Sequence, residues 1–314
     1  MIQARHIIAA VGQFPQDDPV LTRAVEIARA HRARLTVAHV IDSLTGFDSA
    51  STELMRIQQQ MRIEAYGRVE AAVAEQAAGV DTIDIRIETG SPFLRLIDLI
   101  DEGNADLVVM RAHQRDSVAD KIIGSTTDRV IRASNSPVLV VKRPATRAYQ
   151  RVVVATATAD DSDALVPFAA ALFPQTGLYL IHVVQIPPQL EAAMLHAGVG
   201  QSVAAHRQAL VRKAKAELNA VSKRLDPRPI RGMARVLAGD PATSLVRATW
   251  SPKVGLIVLG PGGAGRIRRA LLGSVTQRVL NNAACDVLIC RTLDGTAPGD
   301  SPDQGPSIDV ASEK

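Results

Sequence analysis

Short apolar runs alternate with longer amphipathic stretches along the whole chain. In the first half, Ile7–Val11, Leu35–Ile41, Ile83–Ile87, Asp106–Met110 and Val138–Val141 read as strands. Between them, Asp18–Ala33, Thr52–Ala78, Pro92–Glu102 and Ser125–Ala133 carry helical periodicity. The second half repeats the alternation. Its strands are expected at Val152–Ala155, Leu178–Val184, Arg231–Leu237, Leu256–Leu259 and Val287–Cys290, and its helices at Asp161–Phe173, Val203–Leu225, Ala242–Trp250 and Ser274–Ala283. Ser91-Pro92 and Asp240-Pro241 each place a capping side chain before a proline suited to the first helical turn. The Val-, Ile-, Leu- and Ala-rich composition suits parallel sheets covered on both faces by helices. The pattern therefore predicts right-handed βαβ units, each forming an open, parallel, five-stranded α/β sheet flanked by helices.

The two halves are copies of one unit. Glu88-Thr89-Gly90-Ser91-Pro92 matches Leu237-Ala238-Gly239-Asp240-Pro241, and Ala105–Met110 matches Val254–Leu259. Ile123-Gly124-Ser125-Thr126 matches Leu272-Gly273-Ser274-Val275, and Ser136–Val140 matches Cys285–Ile289. All four pairs share an offset of 149 residues, whereas Ala38-His39-Val40 matches Ile181-His182-Val183 at 143. One net insertion of six residues in the second unit accounts for the difference. Units are expected at 1–144 and 149–293. The polar stretch Arg143–Gln150, with Pro144, reads as a linker. Residues 294–314, rich in Gly, Pro, Ser and Asp, read as a disordered tail.

Composition agrees with two domains, since 314 residues exceed one ordinary core of about 100–200 residues. Hydrophobic residues make up 46% and aromatics only 3%, so the cores are aliphatic and stacking platforms for nucleic acid are not expected. The net charge of +4 is spread among interspersed Arg and Glu, with no basic arm. Cys285 and Cys290 read as ordinary thiols of a reducing compartment. No apolar window reaches the roughly 18 residues of a membrane span, and no leader is recognisable, so a cytoplasmic protein is expected.

The candidate chemistry lies after the run Leu256–Leu259, in Gly260-Pro261-Gly262-Gly263-Ala264-Gly265-Arg266, with Gly273-Ser274 opening the next helix. Glycines let a backbone approach a phosphate closely, and a helix N-terminus adds free N–H donors and partial positive charge. Three readings compete: a strand-to-helix turn, a dinucleotide fingerprint and a phosphate cup. Gly260, Gly262 and Gly265 fit G-x-G-x-x-G, but that fingerprint belongs after the first strand of its unit, with an acidic residue closing the next strand. Here it follows the fourth, and the next strand ends Ile289-Cys290-Arg291. No Gly-Lys-Ser/Thr occurs, which excludes a Walker A loop.

Gly260, Gly263, Gly273 and Ser274 satisfy G-x2-G-x9-G-[S/T]. This resembles the ATP-binding motif of the universal stress protein family, in the position that family uses. Met110–Asp116 and Gln16-Asp17-Asp18 are similar to its tandem, UspE-like branch. The resemblance implies two adenine nucleotide alpha hydrolase-like domains and ATP, with Mg2+, in the second. Gly260, Gly263, Gly273, Ser274 and Val275 would hold phosphates and Val183 would line the base pocket. It implies a stress-response role in which nucleotide alters a surface read by a protein partner. It also implies an internal pseudo-dimer joined through Val138–Val141 and Val287–Cys290, with further homodimer formation open.

Two departures qualify that implication. In the first unit Arg111 and Gln114 replace the two earlier glycines, so it is not expected to bind ATP in the usual way. The family's Asp at the end of the first strand falls on Gly12 in unit one and Ala157 or Thr158 in unit two, with Asp160 and Asp161 nearby. A non-nucleotide scaffold or small-ligand carrier therefore stands as the alternative, and a slow ATPase or phosphoryl-transfer enzyme after it. The seven histidines show no metal-ligand spacing; His39 and His182 read as structural, and His113 lies in the altered loop. No catalytic residue is assigned. Leu44–Met55 and Ile186–Val203 are read as loops that follow the second strand of each unit.

Overall fold

Each apolar run pairs with a run distant in sequence, and the amphipathic stretches cross back over the sheet between them. The computed structural model describes residues 4–43, 52–112, 123–157, 159–198, 200–224, 234–260 and 272–290. The first half comprises β1 (His6–Ala10), α1 (Pro19–His31), β2 (Arg34–Ile41), α2 (Thr52–Gln76), β3 (Ile83–Thr89), α3 (Pro92–Gly103), β4 (Leu107–Arg111), α4 (Ser125–Ala133) and β5 (Val138–Val141). The second comprises β6 (Arg151–Thr156), α5 (Ala159–Leu172), β7 (Gly177–Val184), α6 (Pro188–His196), α7 (Gly200–Arg224), β8 (Arg235–Ala238), α8 (Pro241–Ala248), β9 (Val254–Leu259), α9 (Ser274–Asn282) and β10 (Asp286–Ile289).

Within each half every strand pair is parallel. The five strands do not stop at an open edge. β5 and β10 pair antiparallel, with Val138, Leu139 and Val140 opposite Ile289, Leu288 and Val287. The result is a ten-stranded sheet in the order β3-β2-β1-β4-β5-β10-β9-β6-β7-β8. Every residue of β5 and β10 is buried, so this join lies at the centre of the molecule. Alternation sends Leu139, Val141, Val258 and Leu288 into one apolar layer and Val138, Val140, Ile257 and Val287 into the other. Both layers contain residues of both halves, and each half hides the edge strand the other would expose.

Some local expectations need correction. Ile186–Val203 is not a plain loop, since α6 lies within it. α6 buries none of its residues, so no apolar stripe announced it. Ser91 starts α3 without a side-chain cap, whereas the Asp240 carboxylate accepts from the Thr243 N–H at 2.8 Å. The linker is clasped rather than free. Asp286, buried at the start of β10, accepts from the backbone N–H groups of Lys142 (2.8 Å) and Arg143 (3.3 Å) and from the Tyr149 hydroxyl (2.6 Å). Arg23 of α1 stacks over the Tyr149 ring at 3.8 Å and brings its Nε within 3.8 Å of the same carboxylate. Phe173 meets Tyr149 edge-on at 5.4 Å. Gly255 makes room for this ring, because a Cβ there would lie 2.7 Å from Tyr149 Cδ1. Residues 294–314 and Leu44–Ser51 lie outside the described residues.

Lys142 closes the same seam from the other side. Its ammonium donates to the carbonyls of Leu280 (3.0 Å), Asn281 (3.1 Å) and Ala283 (2.8 Å) at the end of α9. Burial nevertheless lowers its pKa to about 8, partly offset by the Asp286 carboxylate. The native chain thus releases this proton before the unfolded chain, whose lysines titrate near ~10.4. Between those values the unfolded state binds more protons, so stability rises with pH through that window. Comparing urea unfolding at pH 7.5 and pH 9.5 (about the two sides of the folded pKa), the parent should gain stability relative to Lys142→Met. A parallel response of both proteins would contradict this assignment.

Candidate functional site

In a sheet of this order the chain leaves β1 in one direction and returns beside it on the other, so a crevice opens outside the carboxyl ends of β1 and β4. The second half repeats this at β6 and β9, which pair from Val152–Leu256 to Ala155–Leu259. Gly260 immediately follows β9, and Gly273 is the N-cap of α9. The Thr276 hydroxyl donates to the Gly260 carbonyl at 3.2 Å, fastening the strand end to the first helical turn. Gly273, Ser274 and Val275 thus stand at the same edge as Gly260, and Val183 stands near the end of β7. Ser274 is exposed, whereas Val183 and Val275 are half-buried against the apolar layer. Gly263 and Thr158 lie outside the described residues, as do the side chains of Asp160 and Asp161.

The conformations of these glycines are informative. Gly273 has φ −63° and ψ 150°, an extended geometry open to any residue, and no side chain caps α9. Serine or aspartate would cap that helix somewhat better, by about a few tenths of a kcal/mol. Gly260 has no left-handed φ, and a Cβ there would meet only Leu165 at an ordinary 3.6 Å. Backbone strain therefore explains neither glycine. Lacking side chains, both leave bare backbone beside the first turn of α9, whose opening N–H groups have no partner within the helix. Beside them, Thr156 ends β6 with its hydroxyl buried and without a partner among the described residues.

The first half holds the same frame with other side chains. The Thr127 hydroxyl donates to the Arg111 carbonyl at 2.9 Å, the counterpart of the Thr276 bond 149 residues on. Gly124 caps α4 with φ −59° and ψ 145°, again without a side-chain cap. Between the strand ends lies a cavity of about 670 Å³. Its walls include His39, Arg111, Gly124 and Ser125, together with Glu64 and Arg68 of α2. The α2 contributors were not legible in the sequence, because a 25-residue helix with almost no preferred apolar face does not declare which side meets a pocket. The N–H of Gly12 donates to Asp18 (2.8 Å), which also caps α1 through Val20 (3.0 Å). His39 holds the Val11 carbonyl at 3.1 Å, a structural bond. Gln114 and His113 lie outside the described residues.

Other chemistry is muted. Both cysteines are buried and free; burial pushes the Cys285 thiol up to about 12 and Cys290 higher still. Among the described residues no group of three or more His, Cys, Asp or Glu is placed to hold a metal, and no helix is long and apolar enough to cross a membrane.

This is a doubled α/β fold, and the comparisons agree. The Universal stress protein family matches residues 3–142 and again residues 148–291. The chain belongs to that family, as a tandem of two domains. A putative universal stress protein of Staphylococcus aureus (strain USA300) is 30% identical over 148 residues, covering 45% of this chain and 86% of the relative. The crystal structure of a universal stress protein from Archaeoglobus fulgidus DSM 4304 superposes with a TM-score of 0.66 at 17% identity, covering 94% of this chain and 98% of its own. A universal stress protein solved in complex with cAMP is 26% identical, covering 45% of this chain and 98% of its own, with a TM-score of 0.32.

Proposed function

We propose that the second domain, residues 149–293, binds ATP and that the chain acts in the cytoplasm as a nucleotide-dependent regulatory protein of the stress response. The observation that carries this reading is the pair Gly260 and Gly273: glycines in conformations that need no glycine, at the uncapped start of a helix. Phosphates would rest on the N–H groups around Gly260, Gly263, Gly273, Ser274 and Val275, with any Mg2+ carried on the phosphates themselves. Val183 would face the base, and Thr156 offers a hydroxyl in a domain lacking the family's first-strand Asp. A bound nucleotide would order this edge and change the surface a protein partner reads. The antiparallel β5–β10 join is, on this reading, an internal pseudo-dimer interface.

The test is to denature purified protein and identify the released small molecules by mass spectrometry, then to titrate emptied protein with ATP. Adenine nucleotide near one equivalent per chain is the expected result. No nucleotide and no saturable ATP binding would overturn the reading in favour of a scaffold or small-ligand carrier. Steady-state turnover sensitive to Gly263→Asp would instead mark a phosphoryl-transfer enzyme.

A further inference from the structure

We propose that the first domain is not an empty relic but a second ligand site, taking a single phosphomonoester group on a small, partly apolar body. Its cavity, about 670 Å³, lies within the ordinary range for small-molecule sites. Two guanidinium groups line it, Arg68 from α2 and Arg111 from the end of β4, and both residues are half-buried. Arg68 Nε is shut off from solvent with no hydrogen-bond partner, and no side-chain bond of Arg111 occurs among the described residues. A buried donor on a permanent cation without an acceptor is costly, and an incoming anion relieves that cost. Carboxylates are present too, since Asp42 and Glu64 also line the cavity, but both are exposed at its rim. There solvent screens them, whereas Arg68 Nε is shut off from solvent.

The substitution of Arg111 for the glycine at 260 also sets the class of ligand. A polyphosphate needs bare backbone along its path, and here a long side chain stands at the first position of that path. An arginine at the strand end instead offers a forked donor suited to one terminal phosphate. Ser125 and Thr126 add hydroxyls on the same wall, and Met61, Leu96 and Met110 supply apolar surface for the body of the ligand. Arg111 further lines a smaller cavity of about 270 Å³ with Lys142, Arg143 and Asp18.

Phenyl phosphate is a direct probe, followed by 31P NMR and calorimetry on the full chain with its second domain saturated with ATP or silenced by Gly273→Val. Saturable binding is expected, weakened about tenfold or more by Arg111→Met and further by Arg68→Met in addition, since each removes a charge-assisted phosphate contact. Melting temperatures should not fall, because neither side chain bonds to the protein among the described residues and Arg68→Met removes a buried donor without an acceptor. If the double variant does not fold, Arg111→Gly, which installs the residue of the second domain, carries the same expectation. Binding that survives these substitutions, or that Gly273→Val abolishes, overturns the proposal. So does equal binding of benzoate, which would replace the phosphate assignment by a general carboxylate one. Loss of ATP binding in the second domain would leave this result untouched, so the two readings fail separately.

Discussion

A chain carrying Gly273→Val should fold and melt like its parent while losing ATP affinity by at least about 100-fold. The first half of the expectation follows from the backbone. At φ −63° and ψ 150°, Gly273 already occupies a conformation valine prefers, so the substitution introduces no strain. Gly273 contributes its carbonyl to the first turn through the Gln277 N–H at 2.9 Å, and valine keeps that bond. The second half follows from space. Two methyl groups would stand where an anion must approach the opening N–H groups of α9. Displacing about two charge-assisted bonds, each contributing ~1.5–3 kcal/mol, costs at least ~3 kcal/mol, or about two orders of magnitude in Kd. Gly124→Val makes the matching change at the N-cap of α4 and serves as the control, because it should leave the second domain's ATP affinity unaltered. Calorimetric titration and thermal melting of both variants decide the matter. Unchanged affinity in Gly273→Val would remove the cup from the site.

How much of this was legible beforehand depends on whether a residue repeats. The 149-residue offset exposed Gly124 and Gly273 as equivalent, and the same offset joins Thr127 to Thr276, whose hydroxyls fasten strand to helix in both halves. Strands that are apolar throughout and helices with caps were readable for the same local reasons that make them form. What stayed hidden is what the repeat does not carry. Pro137 occupies the position that matches Asp286, so nothing in the first half announces the buried carboxylate of the second. Tyr149 sits in a stretch that is polar on average, and only the folded seam shows it buried beneath Arg23. Arg68 lines its cavity because α2 packs against β2 and β3, a relation between elements that periodicity along one helix does not encode.

Asp286 carries the second large effect. Asp286→Ala should destabilise the chain by about 3–5 kcal/mol, the cost of removing one partner from a buried ionic cluster. The carboxylate is itself expensive to bury. Desolvation pushes its pKa up, against the Tyr149 hydroxyl, the Lys142 and Arg143 N–H groups and Arg23. Yet deleting it strands all of those donors in a region with little water, and Arg23 is left as a buried cation whose remaining ion-pair partner among the described residues is Glu26. Tyr149→Phe, which keeps the ring under Arg23 and removes one bond, should cost only ~1–3 kcal/mol. Combining it with Asp286→Ala should cost less than the two losses summed, since the phenol no longer needs the missing acceptor. Because both apolar layers run through β5 and β10, the loss should appear as a shift of one cooperative urea transition rather than as release of one domain. Strict additivity in the double variant would separate Tyr149 from Asp286, and a split transition would mean that the seam does not bind the two domains into one folding unit.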